Sequence, residues 1–318
     1  MLKNNRKSNK LLVIVGPTAS GKSDLAISLA KKFNGEIISA DSRQVYKGMD
    51  IGTGKVPKDR ETPINSEFYY SEGIRHHLLD IADPKKDNFS VAEYQKLATK
   101  TIDDIQKRGK LPILCGGTGL YINATIEGWQ LPPSPPNLAL REQLEKLSPQ
   151  DLYQKILELD PLKAQTIDKN NKRRLIRALE ILSTNKTIKP LQKNPPPWDI
   201  LILGIKKDHQ ELKELIKKRL LKRLDEGMIE EIKKLKANSV PSKRLEDFGL
   251  EYRWINRYLE NKISYEEMIE SLYHDICQYA KRQMTWIRNK IFKIYPRSYW
   301  INSEEEAIKI VSSWLKNP

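Results

Sequence analysis

Leu11-Leu12-Val13-Ile14-Val15-Gly16-Pro17-Thr18-Ala19-Ser20-Gly21-Lys22-Ser23 is an apolar run that empties into a glycine-bracketed turn closing on lysine and serine. It satisfies the order strand, G-x-x-x-x-G-K-[ST], helix at every fixed position. Two glycines let backbone N–H groups curl around phosphate oxygens. Lys22 supplies a compact positive charge, and Ser23 can ligate Mg²⁺ while opening a helix whose N-terminal dipole favours anions. A chance match to four such positions in a chain of this length has odds of about one in a hundred. The bland alternative is a glycine-rich turn after a strand. The loop by itself leaves open whether its phosphates belong to a hydrolysed nucleotide, a phosphoryl donor or a diphosphate leaving group.

Working outward, Asp24 to Lys32 reads as a helix with apolar Leu25, Ala26, Leu29 and Ala30, and Asn34-Gly35 turns it into a second strand, Glu36 to Ala40. That strand ends at Asp41-Ser42-Arg43-Gln44. Ligands of open parallel sheets bind beyond the carboxyl ends of strands, so Asp41 falls near the phosphate loop. Gly48 to Arg75 is polar and broken by Gly and Pro, and His76 to Asp80 predicts a short third strand. Ser90 and Glu93 make a capping box for a helix to about Lys107, which Gly109 stops. Leu111-Pro112-Ile113-Leu114-Cys115 predicts a further strand running into Gly116-Gly117-Thr118-Gly119-Leu120-Tyr121. Strands alternating with helices of this length predict an α/β fold, a P-loop NTPase-like, doubly wound parallel sheet.

The texture changes at Leu131-Pro132-Pro133-Ser134-Pro135-Pro136 and again at Pro195-Pro196-Pro197. Proline clusters are semi-rigid connectors. Residues 8–133 are therefore expected to form the first part of the core, 134–197 a strand-poor helical insertion domain hinged at both ends, and 198–318 the completion of the core. Asp199 to Ile205 predicts a buried core strand, with Asp208 and Glu211 as cap and N3 residue of a long basic helix. The rest is expected to be helical, with capping boxes at Ser264/Glu267 and Ser303/Glu306.

The 318 residues are 39% hydrophobic and 31% charged, enough for a globular core. No apolar run approaches the roughly 18 residues that span a bilayer. Met1 to Lys7 leads into a strand, with no signal-peptide apolar region and cleavage site, so a cytoplasmic protein without membrane attachment is expected. Two cysteines, Cys115 and Cys277, have neither disulfide-framework nor metal spacing. The formal charge is +15 with pI near 9.5, and the excess sits in runs such as Lys172-Arg173-Arg174, Lys217-Lys218-Arg219, Lys222-Arg223 and Lys281-Arg282. A polyanionic partner follows naturally, although lysine-rich helix faces are often only solvated.

Asp41 has three plausible tasks: general base, indirect Mg²⁺ ligand or cap of the following turn. Thr118 could hydrogen-bond a substrate or tighten its turn. His76, His77, His209 and His274 lack the spacing of a metal site or triad and are expected to be structural. Asn170 to Glu180 alternates basic and apolar residues at helical spacing, offering Arg173, Arg174 and Arg177 to an anion or else forming an ordinary amphipathic helix. Gln278 to Arg288 mixes cations with aromatics, a composition suited to phosphate contact and base stacking in RNA.

Taken together, Gly-Pro-Thr-Ala-Ser-Gly-Lys-Ser from Gly16, Ser-Ala-Asp-Ser-Arg-Gln-Val-Tyr from Ser39, Gly-Gly-Thr-Gly-Leu-Tyr from Gly116, Arg-Arg-Leu-Ile-Arg-Ala-Leu-Glu from Arg173 and Gln-Tyr-Ala-Lys-Arg-Gln-Met-Thr-Trp from Gln278 resemble the bacterial tRNA dimethylallyltransferases, the MiaA family. The resemblance covers nearly the whole chain in order. It implies transfer of a dimethylallyl group from dimethylallyl diphosphate to N6 of the adenosine just 3′ of the anticodon, in tRNAs reading codons that begin with U, with Mg²⁺. On this resemblance Gly16, Pro17, Thr18, Ala19, Ser20, Gly21, Lys22 and Ser23 hold the diphosphate together with Arg219. Ser23 ligates the metal, Asp41 is the general base, and Thr118 and Lys22 act at the reacting centre. The anticodon stem-loop would be touched by Asp41, Ser42, Arg43, Gln44, Thr118, Arg141, Arg173, Arg174, Leu175, Ile176, Arg177, Arg253, Lys281 and Arg282, with the insert as a clamp on a monomeric enzyme. Leu215 stands where the family often has a second arginine, and Phe248-Gly249-Leu250-Glu251-Tyr252-Arg253 replaces a shorter form. No Cys/His zinc module follows the core. The alternatives are a small-molecule or nucleoside kinase, or a basic NTP-dependent nucleic-acid-binding protein. A kinase is disfavoured because Asp41 and Asp80 alone end apolar strands after the loop and no arginine-rich lid is evident.

Overall fold

Every residue of Lys10–Val15 (β1) is buried, and its side chains alternate between two apolar clusters. Leu12 and Ile14 join Leu25, Ala26 and Leu29 of helix Lys22–Phe33 (α1) and Val311 and Trp314 of helix Glu304–Lys316. Leu11, Val13 and Val15 join Tyr94, Ala98 and Ile102 of helix Val91–Lys107 (α2). A strand buried on both faces needs helices on both faces, which is why the run is continuous rather than alternating. The structure, a computed structural model, describes residues 9–60, 68–86, 88–132 and 137–316. Met1 to Lys7 and Pro133 to Pro136, on which the leader reading and the first hinge rest, lie outside them.

The other strands are Gly35–Ala40 (β2), Tyr69–Ser71 (β3), Ile74–His77 (β4), Leu111–Gly116 (β5), Trp129–Gln130 (β6), Gln192–Lys193 (β7), Asp199–Ile205 (β8) and Ser298–Ile301 (β9). Seven form one sheet in the order β3-β4-β2-β5-β1-β8-β9. Its pairs are parallel except β3 with β4. Two short strands depart from the sequence reading. β3 lies inside the stretch read as polar loop, where Glu72 and Gly73 adopt positive φ of 51° and 74° and close a tight hairpin. β9, expected to be helical, pairs in parallel with β8 and covers that edge.

The predicted caps on Ser90 and Ser264 form as complete capping boxes. At Ser303, Oγ accepts from Glu306 N, but the Glu306 carboxylate reaches Asn302 N instead of the cap residue. Helices Gly119–Glu127 (α3), His209–Asp225 (α8), Met228–Ala237 (α9), Ser242–Phe248 (α10), Leu250–Leu259 (α11) and Tyr265–Trp286 (α12) belong to the same unit, Met1–Ile126 with Pro196–Pro318, along with the last helix (α13). A π-helical turn, Ile287–Phe292, extends α12.

Glu36 on β2 is a buried carboxylate ringed by basic side chains. His77 Nε2 lies 2.7 Å from Oε2, Lys110 Nζ lies 2.9 Å from Oε1, and Arg108 is bidentate. Burial by itself would raise its pKa, but these hydrogen bonds outweigh burial and hold the carboxyl well below the usual range. His77 is thus structural, and the neighbouring His76 imidazole is pushed down to about 4 by burial and then by His77. Because the folded carboxyl is held low, its stabilisation is complete above the unfolded value of about 4.3 and fades as pH falls below it. Glu36→Gln is expected to cost about 2 kcal/mol at pH 7. The melting curves of variant and parent should converge on acidification, and a gap that does not change with pH would mean that shape rather than charge is responsible.

The second unit, Glu127–Pro195, contains the two-stranded β6-β7 ribbon and helices Leu138–Leu144 (α4), Pro149–Leu159 (α5), Pro161–Ala164 (α6) and Lys172–Leu182 (α7). The ribbon is absent from the sequence reading, each strand being too short to leave a pattern. Its core is Leu144, Leu152, Ile156, Ala164, Leu175, Ile176, Ala178 and Leu179.

Candidate active site

In-register pairing of β2 with β5 (Ala40 opposite Gly116) and of β5 with β1 (Gly116 opposite Val15) brings three strand ends side by side. The Gly16–Ser23 loop, Asp41 and Gly117-Thr118 leave the sheet from adjacent strands at the same end, the position where such sheets bind ligands. A Cβ at Gly16 would sit 2.6 Å from Ser20 Oγ, so glycine lets the loop close on that side chain. Gly21, at φ 85°, caps α1 without any side-chain acceptor. The first-turn N–H groups of α1 therefore have no side-chain cap to compete with an anion. Ser20 Oγ is buried and has no hydrogen-bond partner among the described residues. Lys22 is half-buried, its Nζ lying 3.3 Å from Pro17 O, and desolvation of the ammonium group lowers its pKa below the usual lysine value.

Asp41 Oδ1 accepts from Arg43 N at 2.8 Å and, at a long 3.4 Å, from Gln44 N, while Oδ2 accepts no hydrogen bond among the described residues. The residue caps its turn with one oxygen and keeps the other available. Thr118 is held from both sides: its N–H donates to Ala40 O at 3.1 Å, and its Oγ1 accepts from Ser42 N at 3.0 Å. The glycines around it make room for neighbours. Added Cβ atoms would lie 2.2 Å from Ala40 O at Gly116, 2.1 Å from Gln283 Nε2 at Gly117 and 2.3 Å from the Trp286 ring at Gly119.

Two helices complete the site. Arg219 of α8 hydrogen-bonds Thr18 Oγ1 in the loop. Burial, with the Arg223 charge behind it, pushes its pKa down to about 9. From α12, Gln283 accepts from Thr18 N at 2.8 Å and donates to Gly117 O at 3.1 Å, tying the Gly16–Ser23 loop to the Thr118 turn. Tyr279, one turn earlier, hydrogen-bonds Thr118; burial and then the Asp41 charge keep its phenol protonated. Gln283 and Tyr279 escape sequence reasoning. Both lie in a segment read for its cations and aromatics as an RNA-binding composition, and no local pattern announces a contact spanning 265 residues.

The cationic and polar residues offered to RNA divide sharply. Lys281 and Arg282 on α12 and Arg173 and Arg174 on α7 are exposed. Ser42 is half-buried beside Thr118. Arg43 instead donates from Nε to Phe248 O at 2.8 Å and lies over the Phe248 ring. The Gln44 amide is engaged at both ends: Ser39 Oγ donates to it at 2.8 Å, and it donates to Gly54 O at 3.2 Å and Thr53 O at 3.3 Å. Arg253 donates to Glu246 O at 3.2 Å and 3.3 Å.

In the second unit, Arg141 is bidentate on buried Glu180 at 2.7 and 2.8 Å, and Arg177 reaches the same carboxylate at 3.3 Å. Leu175 and Ile176 are 0% and 3% exposed within that unit's core, so their side chains are core residues and cannot touch RNA as expected. The apolar face of α7 packs inward and Arg173-Arg174 stays on the surface. Leu215, one turn before Arg219, is half-buried.

The sequence pattern of the family described as IPP transferase matches residues 44–290. The tRNA dimethylallyltransferase of Anoxybacillus flavithermus is 42% identical over 287 residues, 89% of this chain and 88% of that protein. The tRNA dimethylallyltransferase of Acetivibrio thermocellus is 42% identical over 323 residues, covering 96% of this chain and 97% of its own. Among solved structures, the full-length tRNA isopentenylpyrophosphate transferase of Bacillus halodurans superposes with a TM-score of 0.68 at 36% identity, covering 97% of both chains. A eukaryotic dimethylallyltransferase acting on tRNA superposes with a TM-score of 0.77 at 28% identity, over 97% of this chain and 80% of the other.

Proposed function

From the premise that this chain belongs to the IPP transferase family, we propose that it is a tRNA dimethylallyltransferase built on a P-loop core. Its reaction moves a dimethylallyl group from dimethylallyl diphosphate to N6 of the adenosine immediately 3′ of the anticodon, in tRNAs reading codons that begin with U. The single observation that carries the mechanism is the sharing of three adjacent strand ends by a cationic loop, Asp41 and Thr118. The relatives' names give the kinase alternative no support.

The exocyclic amine of adenine is a weak nucleophile because its lone pair is delocalised into the ring, so it needs a positioned base and a strong electrophile. The N6–C1 bond forms as the C1–O bond to diphosphate breaks. The bonding pair leaves with the diphosphate, and the N6 proton passes to Asp41, whose Oδ2 is available for it. Loop N–H groups, Lys22 and Arg219 are already in place for the charge that accumulates on the diphosphate, so little reorganisation is needed. Thr118, held by Ser42 N and Ala40 O, positions the acceptor.

Ser23, half-buried at the start of α1, is the hard oxygen that would hold Mg²⁺. Among the described residues no group of three His, Cys, Asp or Glu side chains could hold a metal ion, which suits an ion coordinated mainly by diphosphate and water. When bound, the ion adds positive charge beside the departing diphosphate.

An adenosine stacked in an anticodon loop has to leave the stack to reach Asp41. Exposed Arg173 and Arg174 on α7 and Lys281 and Arg282 on α12 are the cations that would hold RNA backbone. Arg174→Ala is expected to weaken tRNA binding and reduce the magnitude of the salt-dependence slope by about 0.7–0.9, with the melting temperature kept. An unchanged slope would leave this part of α7 a merely solvated face. Among the described residues no helix is long and apolar enough to cross a membrane, and the reading is of a monomeric cytoplasmic enzyme. The activity itself is tested by incubating the protein with dimethylallyl diphosphate, Mg²⁺ and unmodified tRNA, followed by nucleoside mass spectrometry. Isopentenyladenosine is the expected product; its absence while ATP is consumed on another acceptor would overturn the reading.

A further inference from the structure

Asp80 is the second acidic residue that ends an apolar strand after the loop, and the reaction does not use it. It lies just past β4 as Asp41 lies just past β2, and those two strands are neighbours in the sheet. Its partner is Lys55, whose side chain is only 1% exposed. An ammonium group has three protons to donate and no acceptor, so it is tolerated inside a protein where each proton meets an oxygen. Lys55 Nζ donates to Tyr46 O at 2.6 Å, to Asp50 Oδ1 at 2.8 Å and to Asp80 Oδ1. All three protons are met, and each acceptor sits on a different stretch of chain.

Those stretches frame the turn that carries Asp41. Asp80 N donates to Gln44 O at 3.3 Å, Ile81 N and Ala82 N donate to Val45 O at 2.8 and 2.9 Å, and Lys47 N donates back to Ala82 O at 3.0 Å. Leu78 and Asp80 hold positive φ of 63° and 55° beside this contact, a costly conformation that persists only where its surroundings fix it. The third stretch is fixed from α9 by Glu231, which accepts from Asp50 N at 2.8 Å, Ile51 N at 2.6 Å and Gly52 N at 3.1 Å. Within the turn, Tyr46 N donates to Arg43 O at 3.2 Å, and Arg43 N donates to Asp41 Oδ1 at 2.8 Å. A run of hydrogen bonds therefore joins the Lys55 ammonium group to the Asp41 carboxylate through Tyr46 and Arg43. Without that ammonium group, two carboxylates and a carbonyl would meet at one point with no cation between them, and their repulsion would open the frame.

We propose that Lys55 is a positioning residue for the reaction, its ammonium group setting the turn after β2 so that Asp41 Oδ2 meets the acceptor amine. The proposal rests on the reading that Asp41 takes the N6 proton. Asp80 is then the counter-ion of Lys55. None of these hydrogen bonds reaches the Gly16–Ser23 loop, so donor binding lies outside the effect.

The test is a double-mutant cycle on the single-turnover rate of the full-length protein with dimethylallyl diphosphate and unmodified tRNA, with inorganic diphosphate binding and backbone amide exchange measured alongside. Lys55→Met removes the ammonium group at similar volume and should slow the parent by about 10- to 100-fold, the scale of a small misplacement at the reacting centre. In the Asp41→Asn background the same substitution should cost less than about twofold, because the base that it positions is already gone. Diphosphate binding should stay at the parent value, and the amides of Arg43, Gln44 and Tyr46 should exchange faster while those of α1 keep their protection. Equal losses in the two backgrounds, or a parent rate that Lys55→Met leaves unchanged, overturn the proposal. If Lys55→Met does not fold, Asp80→Asn decides. Asparagine tolerates the positive φ and removes the charge, and it should show a smaller loss with the same dependence on Asp41; a loss that ignores Asp41 overturns the proposal as well. A parent that forms no isopentenyladenosine, or an Asp41→Asn variant as fast as the parent, sinks the reading assigned above. The exchange data then judge the turn-setting role by themselves, faster exchange at Arg43 and Gln44 upholding it and unchanged exchange overturning it. A slow Asp41→Asn variant with a Lys55 effect indifferent to it leaves that reading standing and removes this inference.

Discussion

Asp41→Asn lowers turnover by about 10²-fold or more while tRNA affinity stays close to the parent's, the scale expected for a general base. Asparagine is nearly isosteric and its carbonyl oxygen can still accept from Arg43 N and Gln44 N, so the turn after β2 should keep its shape. What it loses is the ability to take a proton from N6. The comparison to make is single-turnover rate against tRNA dissociation constant. Equal loss in both would make Asp41 a recognition or turn-forming residue, whereas loss confined to the rate assigns it the proton. Melting temperature should move little.

The second large effect concerns Lys22. Its side chain is half-buried with the ammonium group against Pro17 O, and desolvation followed by the charge of Arg219 lowers its pKa, with Cys115 and Asp41 working in the opposite sense. A cation whose pKa is depressed destabilises the folded state at every pH where it is charged. Lys22→Met should therefore raise the melting temperature of the free protein at pH 7 while lowering turnover by about 10²- to 10³-fold, the range seen when one preorganised charge-stabilising donor is removed. Diphosphate binding should weaken in parallel. Stability and activity moving in opposite directions is the signature of a group retained for charge stabilisation. A variant that loses stability along with activity would instead make Lys22 a structural tie within the loop.

The parts of this molecule legible in the sequence are those whose causes are local. The loop announces itself because glycine, lysine and serine must follow a buried strand at fixed spacing, and the caps on Ser90 and Ser264 because a hydroxyl and a glutamate three residues apart satisfy each other. Asp41 follows from its place at a strand end. The parts that escape depend on distant partners. β3 and β9 are short edge strands whose existence rests on pairing with β4 and β8. Gln283 matters only because folding sets it between Thr18 and Gly117.

Charge is the least legible property of all. Arg141 and Arg177 read as RNA contacts, yet Glu180 engages both. Arg43 read likewise, and its guanidinium is held by the carbonyls at the end of α10. A basic residue in a sequence does not disclose whether a carboxylate or a carbonyl will meet it in the fold. Arg174 and Arg282, exposed on helix faces, keep the role expected of them as proposals, whereas buried Leu175 and Ile176 do not.

The central claim is that the loop holds a diphosphate which departs from carbon, so that no phosphoryl group is transferred. Its most direct test uses dimethylallyl diphosphate labelled with heavy oxygen at the bridge between C1 and phosphorus, in a single turnover with unmodified tRNA and Mg²⁺. The account predicts that the label leaves entirely in free diphosphate while one adenosine per tRNA gains the dimethylallyl group. Label retained on dimethylallyl monophosphate, with a phosphoryl group appearing on an acceptor, would contradict it.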